Sequence, residues 1–131
     1  MAQKLNTQRV SATNTRTALT TEALEAHRVV TIVGDDTDGT PKIAYCDAGD
    51  VPAGSVQEAY ASGVLATLHT AEGTHRLTAS ATIAEGDKGK PANDGKVQPD
   101  GTTGATATSV DTCGKAESDG AGDGLFEFRF K

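Results

Sequence analysis

The chain has very little bulky apolar material. Its 131 residues include no Trp and only five aromatic residues, three Phe and two Tyr, and the apolar share of 36% is drawn largely from small side chains. Long periodic runs of strong helix formers are also missing, while 15 Gly and many Thr and Asp favour short strands and turns. The composition predicts an all-β fold, a compact β-barrel or β-sandwich of short strands, whose small core gains from contacts between copies.

Other absences bear on the compartment of the protein. Cys46 and Cys113 lie far apart and form no CxxC pair, so we expect structural thiols and no redox or metal motif. No apolar stretch approaches the ~20 residues of a membrane span, and Met1 is not followed by the basic start and apolar run of a signal peptide. We therefore expect a soluble protein that is not exported and has no membrane partner.

The charge is divided unevenly along the chain. Residues 1–21 contain Lys4, Arg9 and Arg16 and no acidic residue, whereas the remainder has nine basic and eighteen acidic residues, so the formal charge of −6 separates into +3 and −9. Nucleic-acid binding requires a basic surface, and the acidic body therefore argues against it.

The first 21 residues have too few apolar side chains to form a core alone. We predict an extended N-terminal arm at 1–21, ahead of a single β domain at 22–131. Two interpretations of the arm stay open. It is a solvated tail, or it lies on an acidic surface such as a neighbouring copy, where Leu5 and Val10 would add apolar contact.

The body of the chain predicts a succession of short strands. The β-branched run Val29–Val33 is typical of a strand buried on both faces, and Lys42–Cys46 should pair back against it. Glu22–Ala26 predicts a single helical turn. Further predictions are a hairpin within 55–69, a strand at 74–79, a tight turn at Asn93–Gly95, recurring Gly-Asp turns at 49–50, 86–87 and 122–123, and a surface loop at 99–108.

The end of the chain carries the largest side chains. Phe126, Phe128 and Phe130 alternate with charged residues and are the only Phe residues, so all three rings lie on one face of a strand. Each ring would contribute roughly 1.5–3 kcal/mol when buried. The spacing predicts that this strand is buried, either in the core of the chain itself or in that of a neighbour.

The acidic turn Asp35–Gly39 is similar to part of a calcium loop. With its glycine in the invariant position, the first and last ligand positions would fall on Gly34 and Tyr45, and neither suits a calcium ligand at those places. The pattern favours a solvated hairpin turn.

The remaining candidates for chemistry are also weak. His27, His69 and His75 lack the short spacing of metal ligands, and Ser55 follows a Gly but lacks the GxSxG elbow of a nucleophile. Nucleotide-binding glycine motifs are missing from the sequence. We therefore expect no catalytic residue, no metal, no cofactor and no enzyme activity.

Five phrases follow one another after the arm. They are RVV at 28–30, GVLATL at 63–68, AEGD at 84–87, DGKV at 94–97 and GAGDGLFEF at 120–128. This order resembles the small capsid decoration, or cement, proteins of tailed phages, and the likeness covers residues 28–130. The resemblance implies a compact β-barrel or sandwich without catalytic activity.

The resemblance also implies partners and a location. It implies a homotrimer on the outer capsid surface of the virion, at threefold or quasi-threefold positions, which bridges and stabilises subunits of the major capsid protein after assembly in the host cytoplasm. On this hypothesis Lys4, Arg9 and Arg16 meet acidic patches on the capsid or an adjacent subunit. The alternative function is a stand-alone β-sandwich that binds a carbohydrate or another surface ligand, for which only Tyr45 and Tyr60 are available outside the final strand.

Overall fold

The computed structural model describes residues 14–101 and 112–131, which form ten strands and no α-helix. The strands are β1 (Thr15–Thr20), β2 (Arg28–Asp35), β3 (Pro41–Tyr45), β4 (Gly54–Val56), β5 (Leu65–Thr70), β6 (Gly73–Thr78), β7 (Lys88–Pro91), β8 (Val97–Pro99), β9 (Gly114–Ala116) and β10 (Leu125–Phe130). A 3-10 turn, Asn93–Gly95, joins β7 to β8. The predicted all-β class is confirmed.

The first five strands close into a barrel in the order β1-β3-β2-β4-β5. Strand β1 completes the ring because it pairs antiparallel with β5 and parallel with β3. Side chains alternate between the barrel interior and solvent, as in β5, where Ala66 and Leu68 are buried between exposed neighbours. The interior is filled by Ala18, Leu24, Val30, Ile43, Val56, Ala66 and Leu68.

The last five strands form a sheet in the order β6-β10-β9-β7-β8. A parallel bridge between Ala79 and Val97 brings the two ends of this sheet together. Its core contains Leu77, Ala79, Ile83, Val97, Ala116 and the three Phe rings, and it also includes Val29 and Cys46 from the first half of the chain. The two halves therefore share buried surface.

The two halves repeat one topology, with β6–β10 in the places of β1–β5. Four antiparallel pairs of the first half have equivalents in the second: β1/β5 corresponds to β6/β10, β2/β3 to β7/β8, β2/β4 to β7/β9 and β4/β5 to β9/β10. The parallel β1/β3 contact corresponds to the Ala79–Val97 bridge. Segments 54–70 and 114–130 carry strands at matching positions 60 residues apart. We call the two halves the first unit and the second unit.

The three Phe rings lie in the core of the second unit. Phe126, Phe128 and Phe130 are 3%, 0% and 4% exposed, and successive rings meet edge to face with centroids 5.9 and 5.3 Å apart. Phe128 lies on Gly89 and Gly114, where an added Cβ would come within 2.5 and 2.7 Å of ring atoms. Glycine is required at both positions by this close approach.

Strand β1 begins inside the predicted arm. Residues 15–20 pair along β5, and Ala18 and Thr20 are buried in the barrel. The hydroxyl of Thr20 donates a hydrogen bond to the carbonyl of Ala61 at 2.7 Å. The arm boundary predicted at residue 21 is therefore too late in the chain. The prediction failed because a Thr-rich strand whose buried side chains are small has the same composition as a solvated tail.

Two local predictions are wrong. Glu22–Ala26 form bends in place of a helical turn, and Leu24 pairs in a β-bridge with Tyr60. The run Val29–Val33 is buried only in its first half, since Ile32 and Val33 are 42% and 55% exposed. Strand β4 pairs only with the first three residues of β2, so the rest of β2 extends past the end of β4.

Most of the predicted turns are confirmed. Strands β2 and β3 pair across the acidic turn, β4 and β5 pair antiparallel, and Asp94 and Gly95 adopt φ angles of 63° and 73° in the tight turn. In the first two Gly-Asp turns, the carboxylates of Asp50 and Asp87 accept hydrogen bonds from amides three residues earlier, at 3.0 and 2.9 Å. The predicted loop at 99–108 lies mostly outside the described residues.

Replacing Phe128 with Ala should lower the free energy of unfolding by about 3–5 kcal/mol, because the ring is fully buried and the residues around it cannot fill its volume. Chemical denaturation of the two proteins measures the difference. Leu125→Ala is the matched control on the same strand, since Leu125 is 49% exposed and its loss should change stability by about 0.5 kcal/mol or less. Equal effects of the two substitutions would contradict the burial described above.

Candidate interaction surfaces

The β2–β3 hairpin projects beyond the rest of the first unit. Strand β2 pairs with β3 as far as Asp35 but with β4 only as far as Val30. Strands β2 and β3 have eight and five residues, whereas their equivalents β7 and β8 have four and three. We call residues 32–40 the β2–β3 tip; the repeated fold does not require this extension.

The surface of the tip is apolar and acidic. Ile32 and Val33 are exposed on it, and the exposed Val51 lies near its base, where the hydroxyl of Thr31 donates a hydrogen bond to the Val51 carbonyl at 2.8 Å. The turn of the tip adds Asp35, Asp36 and Asp38 and contains no basic residue. Among the described residues, none pairs with β2 beyond Val30 on the side of β4. The tip therefore combines apolar side chains and negative charge with a strand edge that the described part of the chain leaves unpaired.

The acidic side chains of the tip shape its turn. Oxygens of Asp36 and Asp38 accept hydrogen bonds from the amides of Thr37 and Thr40 at 2.8 and 3.0 Å. The hydrogen bonds from Thr40 lower the pKa of Asp38. Among the residues the structure describes, these carboxylates form no ion pair, and no group of three or more His, Cys, Asp and Glu residues is arranged to hold a metal ion.

Three basic side chains lie in line across the second unit. Lys115 on β9 is directly opposite Lys88 on β7 and Arg129 on β10. Directly opposed like charges destabilise a sheet. Arg129 forms an ion pair with Glu117 at 3.4 Å, and its side chain remains 66% exposed. We call these three residues the basic row.

A cavity of about 400 Å³ opens beside the basic row. In the described part of the chain it is lined by the three residues of the row together with Thr112, Gly114, Phe130 and Lys131. The lining thus combines four basic residues with the side chain of Phe130. The cavity suits a ligand or partner segment that combines apolar and acidic groups.

The equivalent row in the first unit is covered. There Ser55 on β4 is opposite Val29 on β2 and His69 on β5. Val29 and Ser55 are 0% exposed because the second unit packs over them. The same face of the repeat is therefore largely an internal contact in the first unit, and it carries three basic residues in the second.

A polar network crosses the boundary between the two units. His75 Nε2 lies 2.9 Å from the carbonyl of Glu72 and donates to it, which leaves Nδ1 to accept a 2.6 Å hydrogen bond from the Ser55 hydroxyl. Gln57 donates to Ser55 at 2.9 Å and accepts from His27 Nδ1 at 3.0 Å. The network satisfies polar groups that would otherwise be buried without partners.

Ser55 and His75 have the distance of a nucleophile and its base, but their burial points to a structural role. Ser55 is 0% exposed and His75 is 8% exposed, and the His75 ring also packs edge to face on Phe130 at 4.8 Å. A substrate carbonyl cannot approach the hydroxyl without separating the two units. The pair links β4 to β6 and stabilises the boundary between the units.

Burial changes the titration of several groups near this boundary. It lowers the pKa of His75, to which the neighbouring His69 contributes, and it lowers the pKa of His69. Burial also raises the pKa of Cys46 and Cys113 to about 12. Both cysteines are free thiols, Cys46 fully buried and Cys113 partly buried, so they are protonated and unreactive at neutral pH.

The structure describes four of the eight predicted site residues, Arg16 and the three Phe residues. Lys4, Leu5, Arg9 and Val10 lie outside the described residues. Arg16 lies on β1 with its side chain exposed, opposite Leu68 of β5, so it belongs to the barrel surface. The three Phe residues occupy the core of the chain itself, which is one of the two placements expected for them.

The basic row and the histidine network are absent from the expectations drawn from sequence. Their members are far apart in the chain, and only strand pairing brings them together. One signal was present: aligning the chain with itself at a shift of 60 residues matches Gly54, Ala61 and Leu65 with Gly114, Ala121 and Leu125. That alignment indicates the repeat of β4 and β5 in β9 and β10, but the row depends on the pairing of Lys88 with Lys115 and is not visible in it.

The chain resembles known proteins in its fold and not in its sequence. No protein-family model matches the sequence, and no curated protein matches it. Its fold matches the crystal structure of the head fiber gp8.5 N base in bacteriophage phi29, with a TM-score of 0.75, 17% sequence identity, and coverage of 89% of this chain and 92% of that chain. At this identity the match shows a shared fold. Within residues 14–101 and 112–131, no helix is long and apolar enough to cross a membrane.

The stability of the protein should fall as the pH is lowered from 7.5 to 5. The unfolded chain takes up protons on its histidines near pH 6.5, whereas His75 and His69 in the folded protein resist protonation because they are buried. The stabilisation is thus complete above pH 6.5 and is lost below it, with a slope of at most about 1.4 kcal/mol per pH unit for each histidine. Denaturation curves at several pH values measure this slope.

Two variants locate the source of the slope. His75→Gln should flatten it, because glutamine can still accept from Ser55 and donate to the Glu72 carbonyl without titrating. Asp123→Asn is the control: the hydrogen bond and charge of Lys96 lower the pKa of the Asp123 carboxyl from 3.8, so that group acts only in more acidic solution. A stability that stays constant between pH 7.5 and 5 in the native chain would rule out the explanation.

Proposed function

We propose that this chain is a structural protein of a tailed-phage virion that binds the outer surface of the capsid. The observation that carries the proposal is the fold shared with the phi29 head fiber base, which extends over nearly the whole of both chains. The order of sequence phrases that resembles capsid decoration proteins supports it independently. Both lines of argument concern proteins of the phage head.

The proposed assembly is a homotrimer that bridges subunits of the major capsid protein at threefold or quasi-threefold positions. In such a position the protein would link neighbouring capsid subunits and help the shell resist the pressure of the packaged DNA. The chain would be made in the host cytoplasm and added to the capsid during assembly. Its partners would be the capsid protein and other copies of itself.

Surface features of the described residues suit a protein that works by binding other proteins. The β2–β3 tip exposes Ile32 and Val33 beside a strand edge that no residue within 14–101 and 112–131 pairs with, and such edges are normally blocked or covered in isolated proteins. The chain also has a basic row on an otherwise acidic body. Exposed apolar and charged surfaces of this kind are typical of interaction sites.

The ligand-binding alternative has weaker support. A carbohydrate platform requires exposed aromatic faces, but Tyr45 and Tyr60 pack against the barrel core and are only partly exposed. Their hydroxyls accept hydrogen bonds from the amides of Glu25 and Thr67 at 2.8 and 3.1 Å. Both rings are therefore used within the first unit.

The N-terminal residues have a proposed role in this binding. Lys4 and Arg9 are basic, precede the barrel and face an acidic partner in the proposed assembly, while Leu5 and Val10 add apolar contact. Since β1 closes the barrel, a truncation that removes it would test folding and not docking. Substitutions in the full-length chain are therefore the appropriate test.

Added to phage capsids that lack the protein, the native chain should co-migrate with them as a trimer, and rising salt should weaken its binding. Lys4→Glu/Arg9→Glu should weaken capsid binding about tenfold at low salt, because both charges then repel an acidic partner. Lys42→Glu/Arg76→Glu has the same change in net charge and should bind more tightly than the arm variant. The proposed function would be refuted if the native chain bound to none of the capsids of the tailed phages found in its source.

A further inference from the structure

We propose that residues 1–13 of one copy of this chain dock on the β2–β3 tip of a neighbouring copy. The inference rests on the proposed function, because it names the acidic surface that the basic N-terminal residues meet in the proposed trimer. It is carried by the chemistry of the tip, by the composition of residues 1–13 and by the position of Asn14, the first residue that the structure describes.

The tip concentrates exposed apolar surface. Six large apolar side chains are exposed within residues 14–101 and 112–131, and three of them, Ile32, Val33 and Val51, lie on the tip or near its base. In the same part of the chain, β2 has no pairing partner beyond Val30 on the side of β4. An apolar surface beside an unpaired strand edge suits an extended segment as its occupant.

The tip also carries the negative charge of its three Asp residues. Two basic residues lie on the strands beside it, Lys42 on β3 and Arg16 on β1, but neither forms an ion pair with a tip carboxylate. Two of the carboxylates, Asp36 and Asp38, accept hydrogen bonds from backbone amides of their own turn. A cationic segment laid on the tip would therefore add charge-assisted contacts that the described residues do not make there.

The charge of the two stretches outside the described residues selects the occupant. Residues 1–13 contain Lys4 and Arg9 and no acidic residue, and each of these cations is followed directly by an aliphatic residue. Residues 102–111 contain no basic residue and one acidic residue. Opposite charge and apolar contact therefore both favour residues 1–13 on the tip, and charge disfavours residues 102–111.

The start of β1 lies at the same end of the barrel as the tip. Leu19 pairs in parallel with Lys42, and Lys42 is opposite Gly34 of the tip. Followed backwards from Leu19, β1 therefore runs toward the turn of the tip. The amide and hydroxyl of Thr70 donate hydrogen bonds to the carbonyl of Asn14 at 2.9 and 3.0 Å, which fixes the point where residues 1–13 join the barrel.

The direction of β1 favours the tip of a neighbouring copy over the tip of the same chain. Because β1 runs from the turn of the tip toward its base, residues 1–13 must reverse direction to follow the β2 edge of their own tip. Without that reversal they extend outward, and 13 extended residues span up to about 43 Å. This reach is longer than the ~30 Å diameter of a small domain, so it extends to an adjacent copy.

A disulfide cross-link between two different chains tests the contact directly. A chain carrying Leu5→Cys is mixed with a chain carrying Val33→Cys, and the mixture is treated with oxidised glutathione. The covalent heterodimer should form about tenfold faster than with Leu125→Cys in place of Val33→Cys, because the docked segment is held near the tip. The control is matched, since Leu125 and Val33 are 49% and 55% exposed and Leu125 lies on the second unit.

Charge reversal on each side tests the chemistry of the contact. Lys4→Glu/Arg9→Glu and Asp35→Lys/Asp36→Lys should each raise the dissociation constant of the trimer about tenfold, measured by light scattering of a dilution series at low salt. The chain with all four substitutions has the original net charge and opposite charges at the contact. It should form trimers with an affinity close to that of the native chain.

Controls separate the contact from effects of folding and net charge. Glu85→Lys/Glu127→Lys changes the net charge as the tip variant does, at exposed residues of the second unit, and should leave the trimer intact. Thermal unfolding of each variant checks that its fold is retained. The inference is overturned by a cross-link no faster than that of the Leu125→Cys control, by a disulfide that forms only within a single Leu5→Cys/Val33→Cys chain, or by a four-substitution chain that stays dissociated.

Capsid binding by the same proteins distinguishes this inference from the proposed function. A native chain that is monomeric even at high concentration would overturn the contact between copies, and capsid binding by that monomer would leave the virion role standing. A fast cross-link together with restored trimers in the four-substitution chain supports the contact even where the capsids tested do not bind the protein.

Discussion

The packing of strand β2 between two cores is the constraint on which the rest of the structure depends. Val29 and Val30 are neighbours with opposite faces, and both are 0% exposed. Val30 belongs to the interior of the barrel, and Val29 belongs to the core of the second unit. A shift of β2 by one residue would exchange these two faces and disrupt both cores at once. The Ser55–His75 hydrogen bond crosses the same boundary, so the two units are coupled by apolar and polar contacts.

The repeat shows how one topology can be filled by two different sets of side chains. In the first unit Val30 lies opposite Gly54, and Leu68 fills the interior from β5. At the equivalent places in the second unit Gly89 lies opposite Gly114, and Phe128 fills the interior from β10. A smaller residue on one strand thus compensates for a larger residue on another, which preserves the packed volume. This exchange explains how the second unit accommodates Phe128 where the first unit has Leu68, although both units have the same architecture.

The sequence was informative where the signal is local. The alternation of Phe and charged residues predicts β10, and the Asp-Gly turn and the paired β2 and β3 segments follow from short patterns. Strand β1 was missed because its buried residues, Ala18 and Thr20, are small and lie among polar neighbours. The exposure of Ile32 could not be predicted either, because it depends on where β4 stops pairing with β2. The basic row depends on the register of three distant strands, and β-branched or charged residues alone do not reveal register.

Two surface features of the chain are unfavourable for a protein that stays alone in solution, and such features are typical of binding surfaces. Like charges directly opposite one another on a sheet are unfavourable, as for Lys115 and Arg129, although Glu117 pairs with Arg129. Likewise, Ile32 and Val33 lie beside an open strand edge, where natural proteins usually place charged or covered residues. Within residues 14–101 and 112–131, the only buried side-chain nitrogen or oxygen atom without a hydrogen-bond partner is Arg28 Nε. Local departures from this consistency are expected at binding surfaces, and here they occur in two places of opposite charge, each on a different unit of the repeat.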